Sequence, residues 1–496
     1  MHAIPTNIET GDRRRRAALG QFLTPGHVAD FMASLFEPPG ESVRLLDAGA
    51  GAGALTAAFV RRTCDPDFGV RSIEVSAWEV DPAIRPRLHV ELDRCREQCR
   101  SRGVRFRSRI HESDFVQATT DQLADRLFEQ EQSQRFDVAI VNPPYRKISS
   151  NSAERRALRR VGVETSNLYA GFVSLILRLM RAGGQVVGIT PRSFCNGPYF
   201  RPFREDLLHR MSVRRLHVFD SRQAAFAQDQ VLQENIVFHG VTGESQTRVV
   251  VISRSNGSEE GAVAEVSMNA DAVFSADDAE RVIHIPLEMA QQSARRVVDR
   301  LHESLRSLGI EASTGRVVDF RLRSALRAMP DAGTVPLIYP CHFSGREINW
   351  PKPDSRKPNA IEWSKSTSPW LVPAGYYVLT RRFSSKEERR RIVACLIDPA
   401  KVPGEWWGIE NHLNYFHERG RGLDRDLARG LVGFLNSTWV DDYFRSFSGH
   451  TQVNVADLRR LRYPNRRQLQ SIGRAMPISE IPQDELDRIV KVHLDG

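Results

Sequence analysis

The 496 residues, 41% hydrophobic and 26% charged, are ordinary for a globular protein and leave room for two or three packed domains. The chain carries 70 Lys and Arg against 61 Asp and Glu, and the net charge of +9 favours a polyanionic partner without naming one. No run approaches the roughly 18 uninterrupted apolar residues that span a bilayer, MHAIPTNIETGDRRRR has no apolar leader core, and Cys64, Cys95, Cys99, Cys195, Cys341 and Cys395 show no paired CxxC spacing. A reducing, cytoplasmic setting with no metal site and no disulfide framework is expected.

Residues 1–19 are polar, contain Arg13–Arg16 and read as a loose arm or the start of a helix. PGHVADFMASLF (25–36) spaces Val28, Phe31, Met32 and Leu35 as one helical face, with Pro25 at its start and Pro38, Pro39 and Gly40 as its stop. Strand and helix signals then alternate: strand 43–49, helix 53–62, strand 73–81, helix 83–101, a strand within 104–115, helix 118–134, a strand ending in a loop over 136–145, helix 166–180 and strand 183–191. Three further strands follow at 214–220, 231–240 and 247–254. This alternation predicts an α/β domain with a parallel sheet covered by helices on both faces. A turn at 254–262 and a helix at 289–308 lead to a region rich in Trp, Pro and basic residues, where the alternation is lost. The expected layout is an arm over 1–19, a Rossmann-like α/β domain over 20–260, linker helices over 261–309 and an α+β domain over 310–496.

LLDAGAGAGALT (45–56) closes the first predicted strand. Gly49, Gly51 and Gly53 allow a tight turn and close approach of a ligand, and the next helix offers free N–H groups. Dinucleotide enzymes use similar turns, but Asp47, followed by Ala48, would repel a diphosphate there, whereas a sulfonium cofactor bearing an amino-acid moiety tolerates it. Glu79 ends the second strand, beside Val80, where a carboxylate takes ribose hydroxyls. Asp81 competes for that role. Asp114 ends the third strand, placed to meet an adenine amine with Phe115 beside the ring. Each acid alone reads as a loop or capping residue. Three at successive strand ends point to one ligand, because open parallel sheets collect ligands there.

NPPY (142–145) follows the fourth strand. The Asn142 side-chain oxygen and the Pro143 carbonyl can accept both hydrogens of an amino group, with Pro144 stiffening the loop. That pairing raises electron density on a nitrogen attacking a methyl sulfonium and holds it in line. Tyr145 offers an aromatic face. An amine paired in a duplex must be flipped out to reach such a site, and Phe226, in the polar loop QAAFAQDQ, is the second stacking candidate.

The order of these motifs resembles the gamma-class N6-adenine DNA methyltransferases of bacterial restriction–modification systems. GQFLTP (20–25) is similar to the cofactor motif that precedes the glycine loop in that class, and LLDAGAGAG, WEVD, SDF, NPPY and the Phe226 segment follow in its order. The resemblance implies S-adenosylmethionine as cofactor, closed over by Phe22, Thr24 and Pro25. It further implies Asp47, Ala48, Gly49, Gly51, Gly53, Glu79, Val80, Asp114, Phe115 and Asn142 as cofactor contacts, and a TaqI-type architecture with a C-terminal target-recognition domain. STGRVVDFRLR, PLIYPCHF, RRFSSKEERRR, ENHLNYFH and FSGHTQVNVADLRRLRYP resemble the recognition region of PstI/BsuBI-type modification enzymes.

RRFSSKEERRR (381–391) carries six basic and two acidic residues, which reads as a phosphate-binding run or as a solvated helix face. Arg381, Arg382 and Lys386 are the candidate contacts. SGHTQVN (448–454) adds His450, Thr451, Gln452 and Asn454, groups suited to phosphates or base edges. PDSRK (353–357) lacks the second acid of a nuclease site, so any restriction nuclease is expected on a separate chain. The competing readings are the same chemistry on RNA or on a protein glutamine, or a non-catalytic DNA-binding module.

Overall fold

The computed structural model describes residues 24–125, 135–219, 234–257, 262–275, 278–384, 388–448, 452–477 and 481–494. The chain divides into two compact units, Met1–Leu287 and Glu288–Gly496.

In the first unit, nine strands among the described residues form one sheet: β1 (Ser42–Ala48), β2 (Ser72–Trp78), β3 (Arg105–His111), β4 (Phe136–Val141), β5 (Met180–Pro191), β6 (Met211–Phe219), β7 (Asn235–Thr242), β8 (Val249–Ser255) and β9 (Ala264–Asn269). Their order is β3-β2-β1-β4-β5-β7-β6-β8-β9. The first five pair in parallel, with Leu45 opposite Val75 on one side and Val138 on the other. Both faces of β1 are covered. Leu45 joins Val138, Ile140 and helices Gly26–Ser34, Ala54–Thr63 and Arg85–Ser101 in one core, while Leu46 joins Ala139, Val141 and helices Phe115–Asp125, Leu168–Leu179 and Arg201–Arg210 in the other. Helix Leu168–Leu179 is apolar nearly all round because it is buried on nearly every side. The order runs outward in both directions from the β1–β4 pair, which opens a crevice at the carboxyl ends of these two strands.

Three expectations need correction. The sheet is mixed rather than parallel throughout: β7 runs antiparallel between β5 and β6 and fills the gap that their crossover leaves. The expected linker helices over 261–309 begin instead with β9, which pairs antiparallel with β8 as part of the first sheet. The helix expected at 289–308 is Met289–Val298, half the expected length.

The second unit is α+β. One sheet orders strands Glu311–Thr314, Leu413–His417, Tyr377–Arg381, Ala394–Ile397, Glu347–Ile348 and Phe343–Ser344. The other orders Leu326–Arg327, Ala360–Glu362, Thr334–Ile338, Trp406–Ile409 and Leu371–Pro373. Trp407, Tyr377, Tyr415 and Ile338 are fully buried between them. Helices Arg425–Leu435 and Arg466–Ala475 cross where only glycine fits: a β-carbon at Gly473 would stand 1.8 Å from the Asp426 carbonyl oxygen.

Candidate functional site

The glycine turn after β1 is left-handed at three places, with φ of 84° at Gly49, 56° at Gly51 and 88° at Gly53. An L side chain there would clash with its own backbone, so the sequence DAGAGAG is what permits the turn. The Trp78 carbonyl accepts from the Gly49 and Ala50 N–H groups at 3.0 and 2.9 Å, which folds the turn back over the end of β2. Glu79 is buried and fixes the turn further. Its Oε2 accepts from Gly51 N–H at 2.9 Å and its Oε1 from Asp81 N–H at 2.7 Å. A carboxylate oxygen accepts more than one bond, so this anchoring leaves capacity for a ligand. Asp81, the competing acid, instead caps the next turn through Ala83 N–H at 3.0 Å. Val80 stands 47% exposed beside them, an apolar surface on the crevice rim.

Asp47 lies beneath the turn, fully buried, as does Ala48. Thr56 Oγ1 donates to its Oδ2 at 2.7 Å, while Oδ1 is buried with no hydrogen-bond partner among the described residues. Burial raises its pKa from 3.8 to about 7; the Thr56 bond opposes this and the Glu79 charge adds to it. A buried acid with an idle oxygen beside a neighbouring carboxylate is a place for a cation. An ammonium or sulfonium suits it and a diphosphate does not.

The fourth-strand loop comes to the same place. A β-carbon at Gly49 would be 3.9 Å from the Asn142 backbone oxygen and 3.9 Å from the Phe172 ring. Asn142 and Pro143 are buried, and Pro144 and Tyr145 are half-buried. Asn142 Nδ2 donates to Thr24 Oγ1 at 3.0 Å, so a residue two positions before helix Gly26–Ser34 meets the catalytic-loop candidate across 118 positions of sequence. Tyr145 donates its hydroxyl to the Ile189 carbonyl at 3.2 Å and packs edge-on to Tyr169 at 6.1 Å. Burial raises its pKa, so it remains a neutral phenol.

An aromatic row links these parts. The Trp78 ring stacks on His111 at 3.8 Å, Phe115 meets Trp78 edge-on at 5.5 Å, and Phe115 and Phe172 lie 4.9 Å apart. Sequence reasoning named Phe115 but missed Trp78, His111 and Phe172; the Trp directly before Glu79 was the available signal. Asp114 differs from its neighbours: it is exposed, and its carboxylate accepts from Gln117 N–H at 2.9 Å as a cap on helix Phe115–Asp125. Pro25 starts helix Gly26–Ser34, its carbonyl accepting from Ala29 N–H at 2.9 Å. Phe22 and Phe226 lie outside the described residues.

In the second unit the two segments with candidate DNA contacts lie side by side. Phe383 bridges to Gln452, and Val453 N–H donates to the Arg382 carbonyl at 2.7 Å. Arg382 donates from its N–H to the His412 carbonyl at 2.9 Å and sets its guanidinium 5.9 Å from the Phe383 ring. Phe383 is 45% exposed and lies 5.0 Å from the His412 ring; His412 also bonds the buried Glu410. Arg381 lies over Phe343 at 5.6 Å. Asn454 heads helix Val455–Arg460, its N–H donating to Asp457 Oδ2 at 3.0 Å. Lys386, His450 and Thr451 lie outside the described residues.

The described part of RRFSSKEERRR is no helix face. Arg391, at its end, is a buried clamp. It donates to Ser384 Oγ at 3.2 Å, the Ser448 carbonyl at 3.2 Å and Ser448 Oγ at 3.3 Å, with its guanidinium over Phe444 at 5.4 Å. Nothing in a run of five arginines and a lysine distinguishes that one residue beforehand.

Residues 89–226 match the family model of the Eco57I restriction-modification methylase. The chain is 42% identical over 485 residues to the type II methyltransferase M.PstI of Providencia stuartii, covering 98% of this chain and 94% of that one. It is also 42% identical over 493 residues to the type II methyltransferase M.BsuBI of Bacillus subtilis, covering 97% and 96%. The chain therefore belongs to the type II methyltransferases of restriction–modification systems. Its methyl donor is S-adenosylmethionine, a cation that fits the Asp47 environment described above. The type IIG restriction endonuclease BpuSI overlays with a TM-score of 0.44 at 12% identity, over 100% of this chain and 66% of that one, a likeness too slight to add to the assignment. No helix among the described residues is long and apolar enough to cross a membrane.

Proposed function

We propose that this DNA methyltransferase acts on the exocyclic N6 of adenine, taking a base flipped out of duplex DNA at a specific site, and that it protects that site from a nuclease carried on a separate chain. The observation that carries the reading is the buried Asn142 carboxamide, followed by Pro143, at the carboxyl end of β4 and against the Gly49 turn.

Adenine N6 is a weak nucleophile because its lone pair is delocalised into the ring. The Asn142 side-chain oxygen and the Pro143 carbonyl take its two hydrogens, which localises the pair and fixes its direction. S-adenosylmethionine supplies the activated methyl group. Asp47 faces the cationic end of that cofactor, Glu79 the ribose, and Val80, Asp114 and Phe115 the adenine side, while Gly49, Gly51 and Gly53 keep the approach clear of side chains. Tyr145 and Phe226 hold the flipped base by stacking. Arg381, Arg382, Lys386, His450, Thr451, Gln452 and Asn454 serve DNA recognition, supported by the adjacency of the Arg382 and Gln452 segments. The test is transfer from labelled cofactor to duplex DNA, RNA and protein, with modified bases identified by sequencing DNA from expressing cells. N6-methyladenine at one sequence context supports the reading; label on cytosine, RNA or protein overturns it.

A further inference from the structure

The antiparallel bridge in the second unit sets Phe383 directly opposite Gln452. Opposite residues in such a pair project from the same face, so a benzyl ring and a carboxamide stand side by side. Phe383 is 45% exposed and Gln452 half-buried. The Gln452 carboxamide has no hydrogen-bond partner among the described residues.

A lone exposed Phe carries no message by itself. This one differs in how firmly it is held. The residue before it is bonded on both sides: Arg382 N–H donates to the His412 carbonyl at 2.9 Å, and the Arg382 carbonyl accepts from Val453 N–H at 2.7 Å. Just beyond it, Ser384 Oγ accepts from the buried Arg391 at 3.2 Å. The Phe383 ring lies 5.0 Å from that of His412. His412 is in turn tied to the buried carboxylate of Glu410, through its ring and through its N–H at 2.9 Å. The ring is thus preorganised for an external contact, with little ordering left to do on binding.

The chemistry of the face narrows what that contact is. The major groove of DNA admits a two-stranded β-ribbon. There adenine offers a donor and an acceptor that a Gln carboxamide matches, and thymine offers a methyl group that an apolar side chain covers. Gln452 and Phe383 present these two complements together. The Arg382 guanidinium, 5.9 Å from the ring, adds a cation suited to phosphate.

We propose that Phe383 is a specificity-determining residue whose ring packs on the 5-methyl group of a thymine in the DNA site. This rests on the reading above that the Arg382 and Gln452 segments serve DNA recognition.

Deoxyuridine differs from thymidine only by that methyl group, so the first arm of the test needs no variant. Kd of the full-length enzyme is measured at one fixed salt concentration, on a duplex carrying the methylated site and on duplexes with each thymine of the site replaced in turn by deoxyuridine. The wild-type enzyme should bind about 3- to 10-fold more weakly when one particular thymine is replaced. Phe383→Ala should lose about as much on the thymine duplex and nothing further on deoxyuridine at that position, because the contact is already gone. Indifference of the wild-type enzyme to every replacement overturns the proposal, as do losses that simply multiply. Arg382→Ala and Gln452→Ala run in parallel separate the two claims. If both bind the duplex as tightly as wild type, the reading of the cluster itself fails. If they bind about 5-fold or more weakly while deoxyuridine makes no difference, only the role of Phe383 falls.

Discussion

The candidate site in the first unit and the candidate recognition cluster in the second are built on opposite plans. In the first, Asp47, Glu79 and Asn142 each stand at the carboxyl end of a strand or just past it, and local turns aim them into one crevice. In the second, Arg382, His412 and Gln452 come from segments tens of residues apart, joined through backbone bonds and one buried guanidinium. Chemistry concentrated in a few atoms fails abruptly when one is removed, whereas recognition spread over several contacts weakens by degrees.

The sharpest way to break that contrast is Asn142→Ala. Transfer should fall by about 1000-fold or more, with cofactor Kd within about 2-fold, as read by labelled transfer and titration. A graded loss of 5-fold or so would make the first site as distributed as the second.

Asp47→Asn comes next, and should weaken cofactor binding by about 10- to 100-fold. Its pH behaviour carries a sign. Because the folded pKa is raised from 3.8 to about 7, the stability linked to Asp47 is fully present below pH 3.8 and lost as pH rises through 7. The cofactor-free asparagine variant should therefore melt above wild type at pH 8, with the gap shrinking at pH 5. Equal gaps at both values would mean Asp47 does not titrate there.

Arg391→Met tests the second plan. KM for DNA should rise about 5- to 10-fold while kcat stays within about 2-fold, because both segments lose their clamp and the chemistry does not. A collapse of kcat instead would couple the two regions.

The smallest effect concerns stability. His217, held between Ser253 and Ser255, has its pKa lowered from 6.5 to about 4, chiefly by burial. Its share of stability is present above pH 6.5 and is lost as pH falls toward 4, at up to about 1.4 kcal/mol per pH unit. His217→Gln should flatten the fall of apparent Tm between pH 6.5 and 4.5 in thermal melts. An unchanged slope would assign it to other groups.

Legibility in the sequence follows the same divide. β1 and β4 were readable because each is a short, largely apolar run with a turn signal, DAGAGAG or NPPY, at its end, whereas β3, RFRSRIH, shows itself only by alternation. The reversed direction of β7 was not readable: strand propensity carries no sense of direction, and only the finished sheet shows the gap it fills. β9 was missed because AEVSMN alternates weakly and lies exposed at the sheet edge. The Thr24–Asn142 bond joins residues 118 apart, and no spacing rule reaches that far. In the second unit the difficulty is general. Strands as short as Leu326–Arg327 or Glu347–Ile348 have no period to detect, and Arg391 looks like its solvated neighbours until Asp441, Ser384 and Ser448 close around it.

The Phe383–Gln452 bridge and the Val453–Arg382 bond also bear on redesign. Backbone pairing of this kind is indifferent to side chains but strict about path, so the two stretches are one inheritable piece although the gene separates them. A chimaera that borrows only one from a relative keeps a half whose partner was shaped for something else. Under the recognition role proposed for them, altering the sequence this enzyme marks takes a transplant of both strips together, with residue 391 left in place to seat them.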